Sequence, residues 1–342
     1  DQGKDFFVPL YRMELQPFII TAFILLQLFG CAARETRASE TACASGIAAQ
    51  NAPQDVSPAA GFVRAPEAFA SPLKNVSLGG DGYFTCDHNG EKRKFILYVP
   101  ESAGEDAPLV LMMHGYGDTS KSFMRDTGMN AAADKYGYAV AYPQGIPNRE
   151  SKGGACWNSG IASSGNDDIG FLVSLAKYLQ LKYGFSEKHT FAAGFSNGAF
   201  MSYKLACGAS KTFRAVASVA GTMSRGAWEQ RRGSASVGIL QINGTKDEAV
   251  PVGGPAARGV PDIRGVIEYW KNANGLDEYR EVRLSLRSTA YEYSGKNSHN
   301  LVWYIEIEGG RHGWPSENFA GFSASETILD FFSRFVNEGS AD

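Results

Sequence analysis

The sequence predicts an α/β fold with a mostly parallel central sheet and helices on both faces. Apolar runs of strand length alternate along the chain with segments whose apolar residues recur at helical spacing. Several of the strand-like runs are continuously apolar, which is typical of strands buried on both faces. The chain has 342 residues, 44% hydrophobic and 20% charged, a composition that suits one large globular domain.

Two segments precede the predicted domain. Residues 1–31 resemble an export signal, because residues 17–30 (PFIITAFILLQLFG) form an apolar run too short to span a bilayer comfortably. This run ends in Cys31, and residues 28–31 (LFGC) resemble a bacterial lipobox, although Phe29 is larger than the usual residue. Ordinary cleavage near residues 31–33 or 42–44 and a buried N-terminal helix are the alternatives.

Residues 32–71 are rich in Ala, Ser, Thr and Pro and predict a flexible tether. Residues 72–342 then form the predicted catalytic domain. We therefore expect a secreted or periplasmic protein, or an outer-surface lipoprotein of a bacterium anchored to the membrane through Cys31.

The first strands of the domain are short and apolar. Residues 94–99 (KFILYV) form a β-like run, and residues 108–113 (PLVLMM) form a continuous apolar run that ends in His-Gly. Residues 138–142 (YAVAY) form another, stopped by Pro143. A helix is predicted over residues 168–181, with Asp167 or Asp168 as its N-cap.

The second half of the domain continues the alternation. A strand over residues 189–193 and a helix over 199–206 flank a glycine-rich turn. The later predicted strands are 214–220, 236–242 and 301–307, and the later helices are 263–274 and 325–336. Ligands of such a sheet bind at the carboxyl ends of its strands. No long insertion separates the catalytic strands, so we expect no large lid.

The glycine-rich turn is the most informative motif. Gly194-Phe-Ser-Asn-Gly198 matches Gly-x-Ser-x-Gly between a strand and a helix, the nucleophile elbow of α/β-hydrolases. The flanking glycines are needed because side chains there would collide with the neighbouring strand or helix, and Ser196 must hold a strained backbone. The sequence therefore predicts an α/β-hydrolase fold with Ser196 as nucleophile.

A serine nucleophile needs a base and an orienting carboxylate, which follow it along the chain in this fold. His299 and His312 are the histidines that follow Ser196. His312 lies in a glycine-rich loop directly after the strand 301–307, whereas His299 lies in a polar segment before it, so His312 is the predicted base. Asp247 is the predicted carboxylate because it follows the strand 236–242, with a turn-forming role as the alternative. The other candidates are Asp262, which resembles a helix N-cap, and Asp277, which lies near a helix end.

An oxyanion hole in this fold uses two backbone N–H groups. One is predicted at Asn197, directly after the nucleophile, and the other at Tyr116, in the loop after the strand 108–113.

The net charge of −3 provides no broad basic surface, which argues against nucleic acid as a partner. The chain has no Cys-x-x-Cys motif or histidine-rich cluster, so we expect neither a metal nor another cofactor.

Seven motifs together resemble a known family. They are LMMHGYGD, ACWNSG, NDDIGFL, GFSNGAFMSYKLAC, FRAVASVAGTM, INGTKDEAVP and GGRHGWP. Over residues 78–338 they occur in the order typical of the polyhydroxybutyrate depolymerase and feruloyl esterase group of α/β-hydrolases. The resemblance implies secreted carboxylic-ester hydrolysis without a metal, with Ser196, Asp247 and His312 at the catalytic positions. Ala199 and Leu276 depart from it, where many relatives have glycine and cysteine.

The resemblance also suggests substrate contacts and a disulfide. Cys156 and Cys207 resemble family positions near the site, and we expect a bond between them, with two buried thiols as the alternative. Trp157, Trp314 and His114 are the candidate substrate contacts. For each tryptophan, plain packing competes with binding of an aromatic acyl group or polymer, and a structural role competes for His114.

The sequence thus predicts a monomeric serine esterase that acts through an acyl-enzyme. Expected substrates are feruloyl or acetyl esters of plant polysaccharide, or polyhydroxyalkanoate. An acyltransferase on the same scaffold is one alternative. A non-catalytic surface-binding lipoprotein is the other, and the presence of all three triad members argues against it.

Overall fold

The computed structural model describes residues 73–147, 154–162, 165–232, 236–254 and 262–337. The chain divides into the units Asp1–Gly61 and Phe62–Asp342, and every described residue belongs to the second unit. The predicted export signal and tether, including Cys31, lie outside the described residues. Within these ranges, none of the helices is long and apolar enough to cross a membrane.

The described residues form thirteen strands, of which eleven belong to one sheet. In chain order the strands are β1 (Lys74–Leu78), β2 (Phe84–His88), β3 (Glu91–Tyr98), β4 (Leu109–Met113), β5 (Ala139–Gln144), β6 (Ile146–Pro147), β7 (Ala155–Cys156), β8 (Thr190–Phe195), β9 (Ala215–Val219), β10 (Gly238–Gly244), β11 (Glu278–Arg283), β12 (Ser288–Gly295) and β13 (Ser298–Ile307).

Helices follow most of the central strands. They are α1 (Ser120–Thr127), α2 (Met129–Tyr136), α3 (Asp168–Tyr183), α4 (Asn197–Gly208), α5 (Arg225–Gln230), α6 (Ile263–Ala273), α7 (Glu317–Ala320) and α8 (Ala324–Val336). The predicted N-caps of α3 and α6 are confirmed. The Asp167 carboxylate accepts the N–H of Gly170 at 2.8 Å, and the Asp262 carboxylate accepts the N–H of Gly265 at 2.7 Å.

The large sheet is parallel at its centre and antiparallel at both edges. Its strand order is β1-β2-β3-β5-β4-β8-β9-β10-β13-β12-β11. Neighbours from β5 to β13 run parallel, whereas β1, β2 and β3 form a meander on one side and β12 and β11 continue from β13 on the other. This arrangement confirms the predicted mostly parallel sheet, and it aligns the carboxyl ends of β4, β8, β10 and β13 at one edge.

Helices cover both faces of the sheet, because successive strand residues point to opposite sides. In β4, Leu109, Leu111 and Met113 join a core with α3, α4 and α6. Val110 and Met112 join a second core with α1, α2 and α8. The two cores explain why β4 is apolar at every position, with all five residues buried.

The predicted end of β5 is wrong. Strand β5 does not stop before Pro143 but continues to Gln144, and Pro143 pairs with Phe95 of β3. The pairing of β5 with β4 ends at Ala141. Since one side of β5 is no longer paired at Pro143, the missing proline N–H is tolerated there.

Candidate active site

Ser196 lies in the sharp turn between β8 and α4. Its backbone has φ 50° and ψ −114°, a conformation that non-glycine residues rarely adopt. A Cβ on Gly194 would lie 2.3 Å from the Gly198 carbonyl, and one on Gly198 would lie 2.1 Å from the Met113 carbonyl oxygen. These contacts confirm that both glycines are required by the close approach of backbone segments, and the turn presents Ser196 at the carboxyl end of β8.

His312 connects Ser196 to Asp247. The Nε2 atom of His312 lies 2.9 Å from the Ser196 hydroxyl oxygen, and its Nδ1 atom lies 2.8 Å from Oδ2 of Asp247. A carboxylate accepts but does not donate, so Nδ1 carries the proton and Nε2 is free to accept the serine proton. The structure thus brings together three residues, of which the first and the last along the chain, Ser196 and His312, are 116 positions apart.

Asp247 is held rigidly in the turn after β10. It is 3% exposed, and its second oxygen, Oδ1, accepts the backbone N–H groups of Ala249 and Val250 at 2.9 and 2.8 Å. These two bonds stabilise the carboxylate and fix its orientation toward the imidazole. The alternative carboxylate, Asp262, caps α6, and the alternative base, His299, is exposed at the start of β13.

The loop after β4 approaches the serine closely. A Cβ on Gly115 would lie 3.6 Å from the Ser196 Cβ atom and 3.0 Å from the Phe195 ring. Tyr116 follows in this loop, and Asn197 is the first residue of α4. In the parts of the chain that the structure describes, the N–H groups of Tyr116 and Asn197 bond to no acceptor. Both groups thus remain available to an oxygen bound beside Ser196.

The chain is similar to known esterases in sequence. Residues 93–266 match the family described as esterase PHB depolymerase. The chain belongs to this esterase family. The match covers more than half of the sequence and confirms the resemblance carried by the seven motifs. Feruloyl esterase D from Neurospora crassa is 26% identical over 277 residues, covering 77% of this chain and 89% of the relative.

Two further proteins are similar to this chain. Feruloyl esterase B from Talaromyces stipitatus is 28% identical over 160 residues, covering 46% of this chain and 41% of that protein. Among solved structures, the acetyl xylan esterase from Aspergillus awamori matches with a TM-score of 0.55 and 16% identity, covering 71% of this chain and 94% of that one. At this identity the structural match supports the fold alone, which is the predicted α/β-hydrolase fold.

Trp157 is a packing residue and not a substrate contact, the second of the two roles considered for it, because its side chain is fully buried. Its indole N–H donates to the His114 carbonyl at 2.9 Å and its backbone N–H donates to the Asn197 side chain at 2.7 Å. Buried indoles require such acceptors, and these contacts turn the ring inward rather than to the cleft.

His114 is also buried and supports the loop after β4. Its Nδ1 atom donates to the Gly115 carbonyl at 2.7 Å, and its Nε2 atom accepts the N–H of Gly145 at 2.9 Å. Burial lowers the pKa of this imidazole, which keeps it neutral and able to accept at Nε2. The structure therefore gives His114 contacts within the fold and no exposed surface for substrate.

The predicted disulfide is absent. The described chain contains no bond between Cys156 and Cys207. The Cys156 thiol, in β7, donates to the Ile146 carbonyl at 3.8 Å, and the Cys207 thiol, at the end of α4, donates to the Ala227 carbonyl at 3.7 Å. The two thiols thus contact different neighbouring elements, Cys156 being buried and Cys207 partly exposed.

Trp314 lies at a cavity of about 330 Å³ beside His312. Its ring makes edge contacts with Phe123 and Phe195, and its indole N–H donates to the Ser325 hydroxyl at 3.3 Å. Besides His312 and Trp314, the cavity is lined by Ala220, Ile242, Asn243, Gly244, Ile307, Gly309, Gly310, Arg311, Gly313, Pro315, Ser316 and Phe319. Of the three predicted substrate contacts, Trp314 is the one that lines a cavity together with His312.

No group of three or more His, Cys, Asp or Glu side chains within the described ranges is arranged to hold a metal ion. The chemistry available at the site is that of a hydroxyl, an imidazole, a carboxylate and two backbone N–H groups.

Proposed function

We propose that this protein is a serine carboxylic-ester hydrolase that acts through an acyl-enzyme. The observation that carries the proposal is the continuous contact from Asp247 through His312 to Ser196, at 2.8 and 2.9 Å. An alcohol oxygen is a weak nucleophile at neutral pH, and an adjacent oriented imidazole is the usual means of activating it. Membership of an esterase family supports the same chemistry.

In the acylation step, the Ser196 oxygen attacks the carbonyl carbon of the ester and His312 Nε2 takes the serine proton. The carbonyl oxygen becomes an oxyanion, which the N–H groups of Tyr116 and Asn197 stabilise. The bond from carbon to the alcohol oxygen then breaks, and His312 gives its proton to the leaving alcohol. Asp247 stabilises the transient imidazolium and holds its orientation.

In the deacylation step, water replaces the alcohol. His312 takes a proton from the water as the water oxygen attacks the acyl-enzyme, and the same two N–H groups donate hydrogen bonds to the second oxyanion. Collapse of this intermediate releases the carboxylic acid and returns the proton to Ser196. The net reaction consumes one ester and one water and yields one acid and one alcohol.

Feruloyl or acetyl esters of plant polysaccharide and polyhydroxyalkanoate are the substrates we propose. Two relatives carry the name feruloyl esterase, the fold neighbour carries the name acetyl xylan esterase, and the family carries the name of a polyester depolymerase. Trp314 and Phe319 line the cavity beside His312 and offer aromatic surface to either an aromatic acyl group or a polymer.

The test of the proposal is the Ser196→Ala variant. We expect it to lose hydrolysis of p-nitrophenyl acetate by at least ~10⁴-fold, because the attacking oxygen is gone, while the thermal midpoint of unfolding is retained. Ferulate release from methyl ferulate and feruloylated xylan, compared with clearing of a polyhydroxybutyrate suspension, then distinguishes the substrates. Substantial turnover by folded Ser196→Ala would refute the mechanism.

A further inference from the structure

Trp157 contacts both elements that carry the proposed oxyanion donors. Its backbone N–H donates to Oδ1 of Asn197, the residue whose own N–H is one donor. Its indole N–H donates to the carbonyl of His114, two residues before Tyr116, whose N–H is the other donor. The ring packs against His114 at 5.2 Å between centroids and is fully buried.

We propose that Trp157 is a positioning residue that fixes the distance between the N–H groups of Tyr116 and Asn197. This inference rests on the proposed function, since it concerns the stabilisation of an oxyanion at that site. The two donors lie on separate elements, the loop after β4 and the start of α4. One buried residue that bonds to the first element through its indole and to the second through its backbone N–H restricts their relative movement.

The spacing of the two donors matters because both must lie about 2.7–3.1 Å from one developing oxyanion. A displacement of about 1 Å at such a site typically costs on the order of 100-fold in rate. The ground-state ester carries much less charge on that oxygen, so loosening the two donors should affect kcat more than KM.

Trp157 is itself anchored through the next residue. The N–H of Asn158 donates to Oδ2 of Asp168 at 2.6 Å, and the carbonyl of Asn158 accepts from the Lys204 ammonium at 2.5 Å. Asp168 is buried and forms an ion pair with Arg93 at 2.7 Å. Breaking a buried pair of this kind is costly, so it provides a rigid base for the residues 157–159.

The Asn197 side chain completes the connection. Its Nδ2 atom donates to the Ser159 hydroxyl at 2.6 Å and to the Trp157 carbonyl at 3.4 Å. Asn197 and Ser159 are both buried. Because buried polar groups need partners, this amide binds the start of α4 to the residues 157–159.

The experiment compares Trp157→Phe with a matched control, Trp270→Phe. Both tryptophans are buried, but the Trp270 indole N–H has no acceptor among the described residues, and Trp270 lies in α6. Each variant loses a similar ring volume, and Trp157→Phe alone loses a hydrogen bond to the loop after β4. The assay measures kcat and KM for p-nitrophenyl acetate, the inhibition constant of phenylboronic acid, and the thermal midpoint.

We expect Trp157→Phe to lower kcat by roughly 10-fold or more and to change KM by less than about twofold. Phenylboronic acid forms a tetrahedral adduct with the serine, so its inhibition constant should rise by a factor similar to the loss of kcat. Trp270→Phe should keep kcat and the inhibition constant within about twofold of the wild type. Equal kcat in the two variants, with lowered thermal midpoints in both, would overturn the inference and leave Trp157 as a packing residue.

Ser196→Ala, measured in the same assay, separates this inference from the proposed function. If Ser196→Ala retains turnover, the mechanism itself fails. If Ser196→Ala is inactive and Trp157→Phe retains the wild-type kcat, only the positioning role fails. Should Trp157→Phe not fold, Asn197→Ala provides a second test, because it removes the side-chain bonds from Asn197 to Trp157 and Ser159 and keeps the Asn197 backbone N–H. Asn197→Ala should show the same loss of kcat with little change in KM, and a wild-type kcat would again overturn the inference.

Discussion

Ser196 holds a backbone conformation that costs on the order of 1–3 kcal/mol and persists only where the surroundings enforce it. Its N–H donates to the Val219 carbonyl at 2.9 Å, and its own carbonyl accepts the N–H groups of Ala199 and Phe200. These bonds fix the turn from both sides. The hydroxyl is therefore aimed at His312 by β8, β9 and α4 together, and not by its own rotamer preference alone.

The Asp247→Asn variant tests the orienting role at this scale. An amide can donate to Nδ1 of His312, which would favour the tautomer whose Nε2 carries a proton and cannot accept from Ser196. We expect kcat for p-nitrophenyl acetate to fall by about 10³–10⁴-fold, with KM changed little. Steady-state kinetics at pH 7.5 measure the effect.

Asp262→Asn is the matched control, because it makes the same chemical change in an aspartate that caps α6. Asparagine caps helices about as well as aspartate, so activity and thermal midpoint should both be retained. A kcat of Asp247→Asn close to that of Asp262→Asn would contradict the assigned role.

The contact of Ser196, Asp247 and His312 could be predicted from the sequence because each of them follows a strand in the chain order of this fold. The surroundings of Trp157 could not be predicted that way. Its partners, His114 and Asn197, are 43 and 40 positions distant, and nothing local in the sequence indicates which way its indole points. The predicted disulfide failed for the same reason, since sequence similarity near a site does not fix the distance between two thiols.

At the scale of elements, the close approach of α4 to β4 requires a glycine. A Cβ on Gly198 would lie 2.1 Å from the Met113 carbonyl oxygen, a backbone atom that cannot move without shifting the strand. We expect Gly198→Ala to lower the thermal midpoint by several degrees or to prevent folding, because overpacking in a close-packed interior costs about 1–3 kcal/mol or more. Thermal unfolding followed by circular dichroism measures the change.

Gly226→Ala provides the comparison. Gly226 lies in α5, and a Cβ there would meet no atom within 4 Å. Alanine is the better helix former by about 0.8–1 kcal/mol, so this variant should raise the midpoint slightly. If Gly198→Ala had the same thermal midpoint as Gly226→Ala, this would contradict the conclusion that α4 lies too close to β4 to admit a side chain at position 198.

The sequence predicted every strand of the parallel centre of the large sheet, where apolar runs are continuous, and β3 beside it. The strands of this sheet that it did not predict, β1, β2, β11 and β12, lie at the two edges. Every residue of β11 is exposed or partly exposed, and its sequence, EYREVR, is dominated by charge. Strand β1 is likewise almost fully exposed. Such strands form because a neighbouring strand offers a ladder of backbone hydrogen bonds, and that partner is set by tertiary structure.

At the scale of the whole molecule, buried imidazoles link stability to pH. Burial lowers the pKa of His88, His114 and His189. A histidine with a lowered pKa in the folded state remains neutral there, while the unfolded chain takes up a proton below about pH 6.5. The free energy of unfolding is therefore unaffected by these groups above that pH and decreases as the pH falls below it.

The effect should be largest for His114, which is fully buried and whose Nε2 must accept the N–H of Gly145. One such group contributes a slope of up to ~1.4 kcal/mol per pH unit below pH 6.5. We expect His114→Gln, whose amide oxygen can still accept that N–H, to show a shallower loss of stability between pH 6.5 and 5 than the wild type. His299→Gln, which replaces an exposed histidine, should retain the wild-type slope. Urea unfolding at half-unit pH steps measures all three slopes, and identical slopes for His114→Gln and the wild type would contradict a buried neutral imidazole beneath the loop after β4.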